Sequence, residues 1–553
     1  MKQPVQNHSG GLFSLLKPYW LVLAGASLLG IIGGASITIL LASINRALHA
    51  HSLTLGMVLA FGGICLVALV SSILSDIGTN YVGQQVIAAL RKRLGGKVLS
   101  APIDQLERYK THRLIPVLTH DIDTISDFSF ALAPLAISLT VTLGCLGYLA
   151  SLSWSVFVLL LVAITLGSAA QYVARLRGIR GFYAAREHED ALQKHYHAIA
   201  EGAKELRMHQ GRRHAMLQGG ITATADRICE IQVKSVNTFI VAKSFGSMLF
   251  FVVIGLTLAS QLYWPPADTS VTSGFVLVLL YMKGPLEHLI GTLPIVSRAQ
   301  IALRRIDELS RTFANPEPHL LTQPATVQAP FERLDLAQVR YGFPAAGEAS
   351  AFELGPIDLS IRRGETVFIV GENGGGKTTL IKLLLGLYSP QQGEVRLNAE
   401  PVRAENRDAY RQLFTTVFAD YYLFDDLLQA PHGALDAVES YLAKMELGHK
   451  VSLDHGAFST TDLSTGQRKR LALINAWLEG RPVLVFDEWA ADQDPTFRRI
   501  FYTELLPELK RLGKTIIVIS HDDRYFHLAD TLVELKAGRI HSTEAPARLA
   551  PAL

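Results

Sequence analysis

The stretch Gly371-Glu372-Asn373-Gly374-Gly375-Gly376-Lys377-Thr378-Thr379 decides the fold of the second half of this chain. A short apolar run with strand composition, residues 366–370, precedes it, and a helix-permissive run follows it. The spacing G-x-x-x-x-G-K-[ST] between a strand and a helix is that of a loop whose backbone N–H groups wrap phosphate oxygens. We therefore predict an α/β P-loop domain. Its phosphate-binding candidates are Gly371, Asn373, Gly374, Gly375, Gly376, Lys377, Thr378 and Thr379.

A pair of adjacent carboxylates ends a second apolar run. In the stretch VLVFDEWAADQDP, residues 483–495, Asp487 and Glu488 stand where the predicted strand stops. We predict that Asp487 and Thr378 hold Mg²⁺, that Lys377 balances phosphate charge, and that Glu488 polarises the attacking water. Two carboxylates are needed because metal binding and base catalysis are separate tasks.

The composition indicates that part of the chain lies in lipid. Of its 553 residues only 18% are charged, and the mean hydropathy is +0.25. The net charge of +3 is too small for an extended nucleic-acid surface, so no nucleic-acid partner is expected. The cysteines Cys65, Cys145 and Cys229 are too far apart in sequence to form a metal motif.

The first 300 residues contain apolar stretches long enough to cross a bilayer as helices. They are residues 19–43, 55–78, 129–151, 154–174, 238–262 and 272–296. Turns are expected at Ser153 and at Tyr263-Trp264-Pro265-Pro266. Lys283 and Glu287 fall four residues apart in the last stretch. There they pair structurally, snorkel toward the membrane surface or contact cargo.

The distribution of Lys and Arg predicts the orientation. The segment between spans two and three and the segment between spans four and five are rich in Lys and Arg, and the short connections are not. The positive-inside rule places both basic segments and both termini in the cytoplasm. Each basic segment is expected to continue the spans as helix and to turn near residues 102–109 and 208–213. A proline-rich linker follows at residues 313–330.

Further motifs resemble one family. The stretch Leu463-Ser464-Thr465-Gly466-Gln467 resembles the LSGGQ signature of ABC ATPases, and it lies just before the Asp-Glu strand, as in that family. His521 matches the switch histidine, and Asp494 matches the D-loop aspartate. Tyr341 stands where the family places an adenine-stacking aromatic, with Phe343 as a nearby competitor. Together with the spans, these motifs make the chain resemble a type IV ABC exporter half-transporter.

The resemblance implies a fold and a set of ligands. It implies an α-helical membrane domain of six transmembrane helices at residues 1–312 and an α/β P-loop ABC ATPase domain at residues 331–553. ATP and Mg²⁺ are the expected ligands, with Glu488 and His521 as catalytic residues. A second copy of the chain, or an unseen related chain, would complete each site. The further ATP contacts implied by the resemblance are Tyr341, Ser464, Gly466, Gln467 and Asp494.

The sequence departs from the family pattern at two places. Ala419 occupies the position of the Q-loop glutamine, and the adjacent Asp420 is the candidate to hold a Mg²⁺-bound water. Thr465 replaces a signature glycine, while Ser464 and Gly466 are kept.

Two features narrow the subgroup. Trp489 stands where most exporters carry Ala, and the run Asp522-Asp523-Arg524-Tyr525-Phe526 follows His521. Together they resemble bacterial exporters associated with pyoverdine, syringomycin and microcin. The resemblance therefore implies ATP-driven export of a peptide across the bacterial inner membrane, with membrane lipid around the spans. A lipid flippase or multidrug exporter, and a nucleotide-gated regulator, are the alternatives.

Overall fold

The computed structural model describes residues 17–49, 52–109, 111–260, 269–313, 317, 320–321, 331–343, 352–425, 438–454 and 456–545. The chain divides into two compact units. The first comprises Met1–Leu99 and Gln105–Ala314, and the second comprises Ser100–Asp104 and Asn315–Leu553.

The first unit is helical. Before residue 313 the described helices are α1 (Trp20–Leu48), α2 (Leu55–Leu99), α3 (Ile103–Tyr109), α4 (Thr111–Pro116), α5 (Ile122–Leu152), α6 (Trp154–Glu201), α7 (Ala203–Met208), α8 (Gln210–Ala215), α9 (Ala223–Ser260), α10 (Thr269–Gly291) and α11 (Leu293–Thr312). The π-helical turns Val117–Asp121 and Met216–Thr222 lead into α5 and α9.

Among the described residues, six helical segments are long and apolar enough to span a membrane, which confirms the predicted number. They are Trp20–Leu48, Leu55–Leu99, Arg113–Leu152, Trp154–Glu201, Gln210–Ala259 and Thr272–Thr312. All six exceed the ~20 residues that a bilayer requires, because their polar ends continue as helix. The protein is therefore a multi-pass membrane protein.

The expected turns are present where the structure describes them. Ser153 adopts an extended conformation between α5 and α6. One basic segment breaks after Leu99, before α3, and the other breaks at His209, which is extended. The predicted turn at Tyr263–Pro266 lies outside the described residues.

Small residues let α6 and α9 approach closely. A Cβ on Gly178 would lie 2.2 Å from the Phe239 ring, and one on Gly181 would lie 1.8 Å from the Ser235 hydroxyl. Glycines at such positions allow tight helix contact in membranes, where lipid supplies no hydrophobic drive for helix association.

The second unit is an α/β domain. Its strands are β1 (Arg333–Gly342), β2 (Glu353–Arg362), β3 (Thr366–Gly371), β4 (Gln392–Leu397), β5 (Glu400–Pro401), β6 (Phe414–Val417), β7 (Leu453–Asp454), β8 (Ala457–Phe458), β9 (Val483–Asp487), β10 (Thr515–Ile519), β11 (Thr531–Lys536) and β12 (Arg539–Glu544). Its described helices are α12 (Lys377–Leu384), α13 (Arg407–Arg411), α14 (Val438–Lys444), α15 (Thr465–Glu479), α16 (Pro495–Ile500) and α17 (Leu506–Arg511).

The expected parallel sheet forms the centre of this unit. Its strand order is β12-β11-β3-β10-β9-β6, and every neighbouring pair except β11 with β12 is parallel. β3, β9 and β10 are buried almost throughout. A second sheet, β2-β1-β4-β5, is antiparallel. The sequence patterns did not predict that second sheet.

Most of the predicted linker lies outside the described residues. Within it Glu317 is held in the second unit, since Arg411 donates two hydrogen bonds of 2.7 Å to its carboxylate.

Candidate nucleotide-binding site

The candidate site lies at one edge of the parallel sheet. Ile519, the last residue of β10, is in register with Asp487, the last residue of β9. Ile519 is also in register with Ile369 of β3, two residues before Gly371. The carboxyl ends of parallel strands are the usual ligand edge of such sheets, and here three of them bring the predicted residues together.

The glycine-rich loop has a conformation that side chains would disturb. Gly374 and Gly376 have φ of 79° and 100°, a region that favours glycine. Lys377 begins α12 and donates hydrogen bonds of 3.0 Å to the carbonyls of Gly371 and Glu372. Burial lowers the pKa of Lys377, while the charges of Glu488 and Asp487 oppose that shift.

The other loop candidates surround this lysine. Asn373 and Thr378 are exposed, Gly375 is buried, and Thr379 is half-buried in the first turn of α12. The exposed hydroxyl and the start of α12 are thus on the side of the loop that a solvent-borne anion can reach.

Asp487 is a buried carboxylate at the end of β9. The residue is 1% exposed, and neither carboxylate oxygen is hydrogen-bonded among the described residues. Burial raises the pKa of Asp487 to about 6, and the negative charge of Glu488 is the second cause of this rise. The charge of Asp420 raises the pKa further, whereas the nearby Thr378 hydroxyl lowers it. The hydroxyl thus lies close to the carboxylate without meeting hydrogen-bond geometry. Oxygen ligands in this arrangement fit a divalent cation such as Mg²⁺.

Glu488 and His521 form a pair. The Glu488 carboxylate lies 3.1 Å from His521 Nε2, and both side chains are about two-fifths exposed. Glu488 has a φ of 52°, which turns its side chain away from the line of the strand. An oriented, water-accessible carboxylate next to a phosphate-binding loop can accept a proton from water.

Lys469 fixes the backbone at Glu488, a role that the sequence patterns did not reveal. Its side chain is 2% exposed and lies 2.8 Å from the Asp492 carboxylate. Its ammonium also donates to the Glu488 carbonyl at 3.0 Å. Buried lysines are rare unless paired. The available signal in the sequence was a lysine just after the signature stretch, together with Asp492 beside the D-loop aspartate.

The signature residues build a helix N-terminus. Ser464 caps α15, and the side chain of Gln467 reaches back to the Ser464 N–H at 3.4 Å to complete a capping box. Gly466 lies close to the D-loop, since a Cβ there would lie 2.9 Å from the Asp492 carbonyl. Among the described residues, no hydrogen bond or ion pair joins this group to the phosphate loop.

Asp494 caps the next helix. It accepts a hydrogen bond of 2.9 Å from Phe497 N–H at the start of α16, and this bond is the main cause of its lowered pKa. Arg470 of α15 pairs with its carboxylate at 2.6 Å. The signature helix and the D-loop therefore form one connected group.

The assignment of Tyr341 to adenine needs correction. Tyr341 is 4% exposed, and its ring stacks on Tyr388 with centroids 4.9 Å apart. A ring enclosed on its faces cannot also stack on a base. Phe343 is only partly buried at the end of the same strand, and it replaces Tyr341 as the candidate.

The subgroup residues pack behind the pair of Glu488 and His521. Trp489 is 1% exposed, donates to the Lys469 carbonyl at 2.8 Å and stacks on Phe501. Tyr525 stacks on Tyr502, whose hydroxyl lies 2.7 Å from that of Ser520. These features support the segments that carry Glu488 and His521.

A phosphate loop, a carboxylate pair and a histidine, in one chain with six candidate spans, define a membrane-bound P-loop ATPase. The sequence matches the ABC transporter family at residues 354–491 and the ABC transporter transmembrane region at residues 11–185. It is 34% identical over 525 residues to the ATP-binding protein SyrD of Pseudomonas syringae pv. syringae, covering 93% of each chain. The chain belongs to the ABC transporters and is an ATP-hydrolysing exporter of the half-transporter type.

Other relatives are lipid A-core flippases. An ATP-dependent lipid A-core flippase of Alkalilimnicola ehrlichii is 26% identical, with 96% of this chain and 92% of the flippase covered. A bacterial Atm1-family ABC exporter with ATP bound shares the fold at 16% identity, with a TM-score of 0.78 over 97% of this chain and 96% of that chain.

Proposed function

We propose that this chain forms a homodimer that exports a peptide across the bacterial inner membrane by alternating access, driven by ATP hydrolysis. The cargo class is a cyclic peptide, a lasso or microcin-type peptide, or a peptide siderophore. The observation that carries the proposal is the relative that is 34% identical over 93% of the chain, together with the subgroup residues around Trp489. The flippases share 24–26% identity.

In the proposed reaction the residues at the sheet edge have separate roles. Lys377 exchanges its bonds to the loop carbonyls for contacts with phosphate oxygens. Glu488 takes a proton from the attacking water, and His521 keeps the carboxylate in position. Lys469 prevents the Glu488 backbone from moving during the step. These roles agree with the distances described above.

The fit of Asp487 to a divalent cation extends the proposal. Thr378, Asp487 and, through water, Asp420 would hold Mg²⁺. When bound, the ion would neutralise phosphate charge. The cation would also supply the partner that the buried oxygens of Asp487 otherwise lack.

The exposed position of Ser464 at the start of α15 supports a dimer. Ser464, Gly466 and Gln467, with Asp494 beside them, would complete the nucleotide site of the second copy through the positive end of α15. Loss of the terminal phosphate after hydrolysis would remove the contact that bridges the copies and favour their separation.

The domain assignment remains part of this proposal. Residues 1–312 would form the membrane domain, residues 313–330 the linker and residues 331–553 the ATPase domain. Both termini and the ATPase domain would face the cytoplasm, as the basic segments predict.

An ATPase assay tests the catalytic assignment. In lipid nanodiscs, Glu488→Gln should lower the turnover number by about 10²–10⁴-fold, because the amide cannot accept the proton. Glu504→Gln, which changes an exposed glutamate that pairs with Arg499, is the matched control. Equal turnover in the Glu488→Gln variant and the parent would defeat the assignment.

The flippase relatives support a second candidate function. Proteoliposomes with a fluorescent lipid in one leaflet, compared with proteoliposomes enclosing a fluorescent cyclic peptide, separate the two. ATP-dependent movement of the lipid without movement of the peptide would favour the flippase.

A further inference from the structure

Three ionisable side chains meet within the membrane-spanning part of the chain. Lys243 lies on α9, and Lys283 and Glu287 lie on α10. Glu287 is 4.0 Å from the ammonium of Lys243 and 3.9 Å from that of Lys283. The pairing expected from sequence is thus present, and a third member joins it from the neighbouring helix. We call these residues the Lys–Glu cluster.

The cluster lies inside the spans, toward the end farther from residues 261–268. Counted at 1.5 Å per residue, its members are about 20–27 Å from the helix ends that lead into residues 261–268. The hydrocarbon core is about 30 Å thick, so the cluster is inside it. Ionised groups at such depth are costly against lipid and usually face a polar path.

The cluster carries an excess positive charge. Two ammonium groups share one carboxylate, and at these distances neither is hydrogen-bonded to it. The side chains are 46%, 31% and 30% exposed for Lys243, Lys283 and Glu287. Each lysine therefore keeps donors to offer to a ligand. Snorkelling would direct the two lysines toward the membrane surface, whereas both ammoniums converge on Glu287.

An aromatic ring adjoins the charges. The ammonium of Lys283 lies 4.6 Å from the centre of the Phe251 ring, and that ring is 47% exposed. An apolar surface beside ammonium groups that can still donate hydrogen bonds suits a ligand that carries both an apolar part and an anionic group.

A further unsatisfied polar group occurs on the adjacent helix. Gln171 of α6 is 4% exposed, and neither atom of its amide has a partner among the described residues. A Cβ on Gly167 would lie 3.7 Å from Gly246, and a Cβ on Gly178 would contact Phe239. The register between these contacts places Gln171 near the level of Lys243.

We propose that the Lys–Glu cluster is a cargo-binding site that recognises a carboxylate on the exported peptide. The inference rests on the proposed peptide export and specifies which peptides the protein prefers. Glu287 lies within 4.0 Å of both ammonium groups and balances only one of the two positive charges. An acidic peptide then adds the second negative charge that the cluster lacks. In a homodimer the two copies would provide two such sites.

The test uses two synthetic cyclic peptides that differ only by one Glu or one Gln. Stimulation of ATPase activity is measured with full-length protein in phosphatidylcholine nanodiscs. We expect the Glu peptide to reach half-maximal stimulation at about a tenfold lower concentration, since a hydrogen bond to a charged group contributes roughly that factor. Lys283→Met and Lys243→Met should each remove most of the difference, and Glu287→Gln should widen it.

Lys234→Met is the matched control. Lys234 is on the same helix α9, 73% exposed and paired with Glu230 at 2.6 Å, so its loss should leave the peptide preference unchanged. Basal ATPase activity shows that each variant is folded.

The outcomes separate the site from the function. If both peptides stimulate equally, if Lys283→Met keeps the preference, or if Glu287→Gln narrows it, the carboxylate site is overturned while peptide export stands. If no peptide stimulates, peptide export and the site fall together. If phosphatidic acid in the nanodisc, and neither peptide, gives a Lys283-dependent response, the site serves a lipid phosphate and the inference is wrong.

Discussion

At the residue scale, the ion pair of Lys469 and Asp492 joins a buried side chain to a half-exposed one. The lysine side chain is 2% exposed, whereas the Asp492 carboxylate is 48% exposed. The effect on stability therefore depends on which of the two partners is removed. A lone Asp492 can be hydrated, but a lone Lys469 remains an ammonium inside the domain.

This difference predicts the order of two variants. Asp492→Ala should destabilise the protein by about 3 kcal/mol, because breaking a buried pair leaves an uncompensated charge. Lys469→Met should cost only about 1 kcal/mol, because the remaining charge is near the surface and Met fills similar space. Thermal unfolding of the purified full chain measures the order.

Lys510→Met provides the control for that comparison. Lys510 pairs with Asp530 at 2.6 Å, but both side chains are about two-fifths exposed, so its removal should change stability little. A melting temperature lowered as far by Lys469→Met as by Asp492→Ala would show that burial does not govern the pair.

The residues that were predictable from sequence are those set by a local motif. Lys377, Asp487 and Glu488 follow from the spacing of a strand, a loop and a carboxylate pair, and the structure brings them to one edge. Tyr341 and Phe343 were harder to distinguish, because the choice depends on which ring the domain core covers. Lys469 was missed because its partners, Glu488 and Asp492, lie in a different motif.

At the element scale, the contact between α6 and α9 depends on small side chains. Gly178 faces Phe239, which also stacks on Phe182 with centroids 6.0 Å apart. The Phe239 ring is 5% exposed. It therefore has little room to move away from a larger residue at position 178.

Gly178→Val should destabilise the membrane unit. Overpacking of a filled contact costs about 1–3 kcal/mol. We expect a lower melting temperature in detergent, with partial recovery when Phe239→Ala is added. Gly147→Val in α5 is the matched control, because a Cβ there meets nothing within 4 Å. Equal losses in both variants would mean that the cost comes from valine in a helix and not from packing.

The elements were predictable to different degrees. All six spans could be predicted from the length of their apolar stretches, since each stretch must be long enough to cross the bilayer. The antiparallel sheet was not predicted, because short strands such as Glu400–Pro401 have no periodicity of their own and depend on pairing with β4.

At the scale of the whole molecule, a charged network connects three helical segments of the membrane unit. Asp121, whose side chain is 3% exposed, pairs with Arg186 of α6 at 2.8 Å. Arg305 of α11 lies 3.6 Å from Asp121 and 2.8 Å from Asp190. Any movement that separates α11 from α6 must break these contacts.

Asp121→Asn should loosen the polar ends of these helices. The substitution leaves the two guanidinium groups with less negative charge between them, and like charges in a partly buried site repel. In a background without cysteines, spin labels at Asp127 and Arg311 should give a longer and broader distance distribution.

Asp123→Asn tests whether any lost carboxylate has this effect. Asp123 pairs with Arg91 at 3.2 Å, but both side chains are more than half exposed. Unchanged label distances in the Asp121→Asn variant, or equal changes in both variants, would refute a role for the network in holding the helices together.

The position of Lys469 on α15 has a consequence for the proposed pair of subunits. Ser464 and Gly466 at the start of this helix would touch nucleotide bound by the opposite copy, and Lys469 lies one turn later against the Glu488 carbonyl. A small shift of the helix would therefore alter the general base of its own chain. The two cleavage events would then not be independent, and a mixed assembly of one intact and one Lys469→Met half would not turn over at the average of its parents.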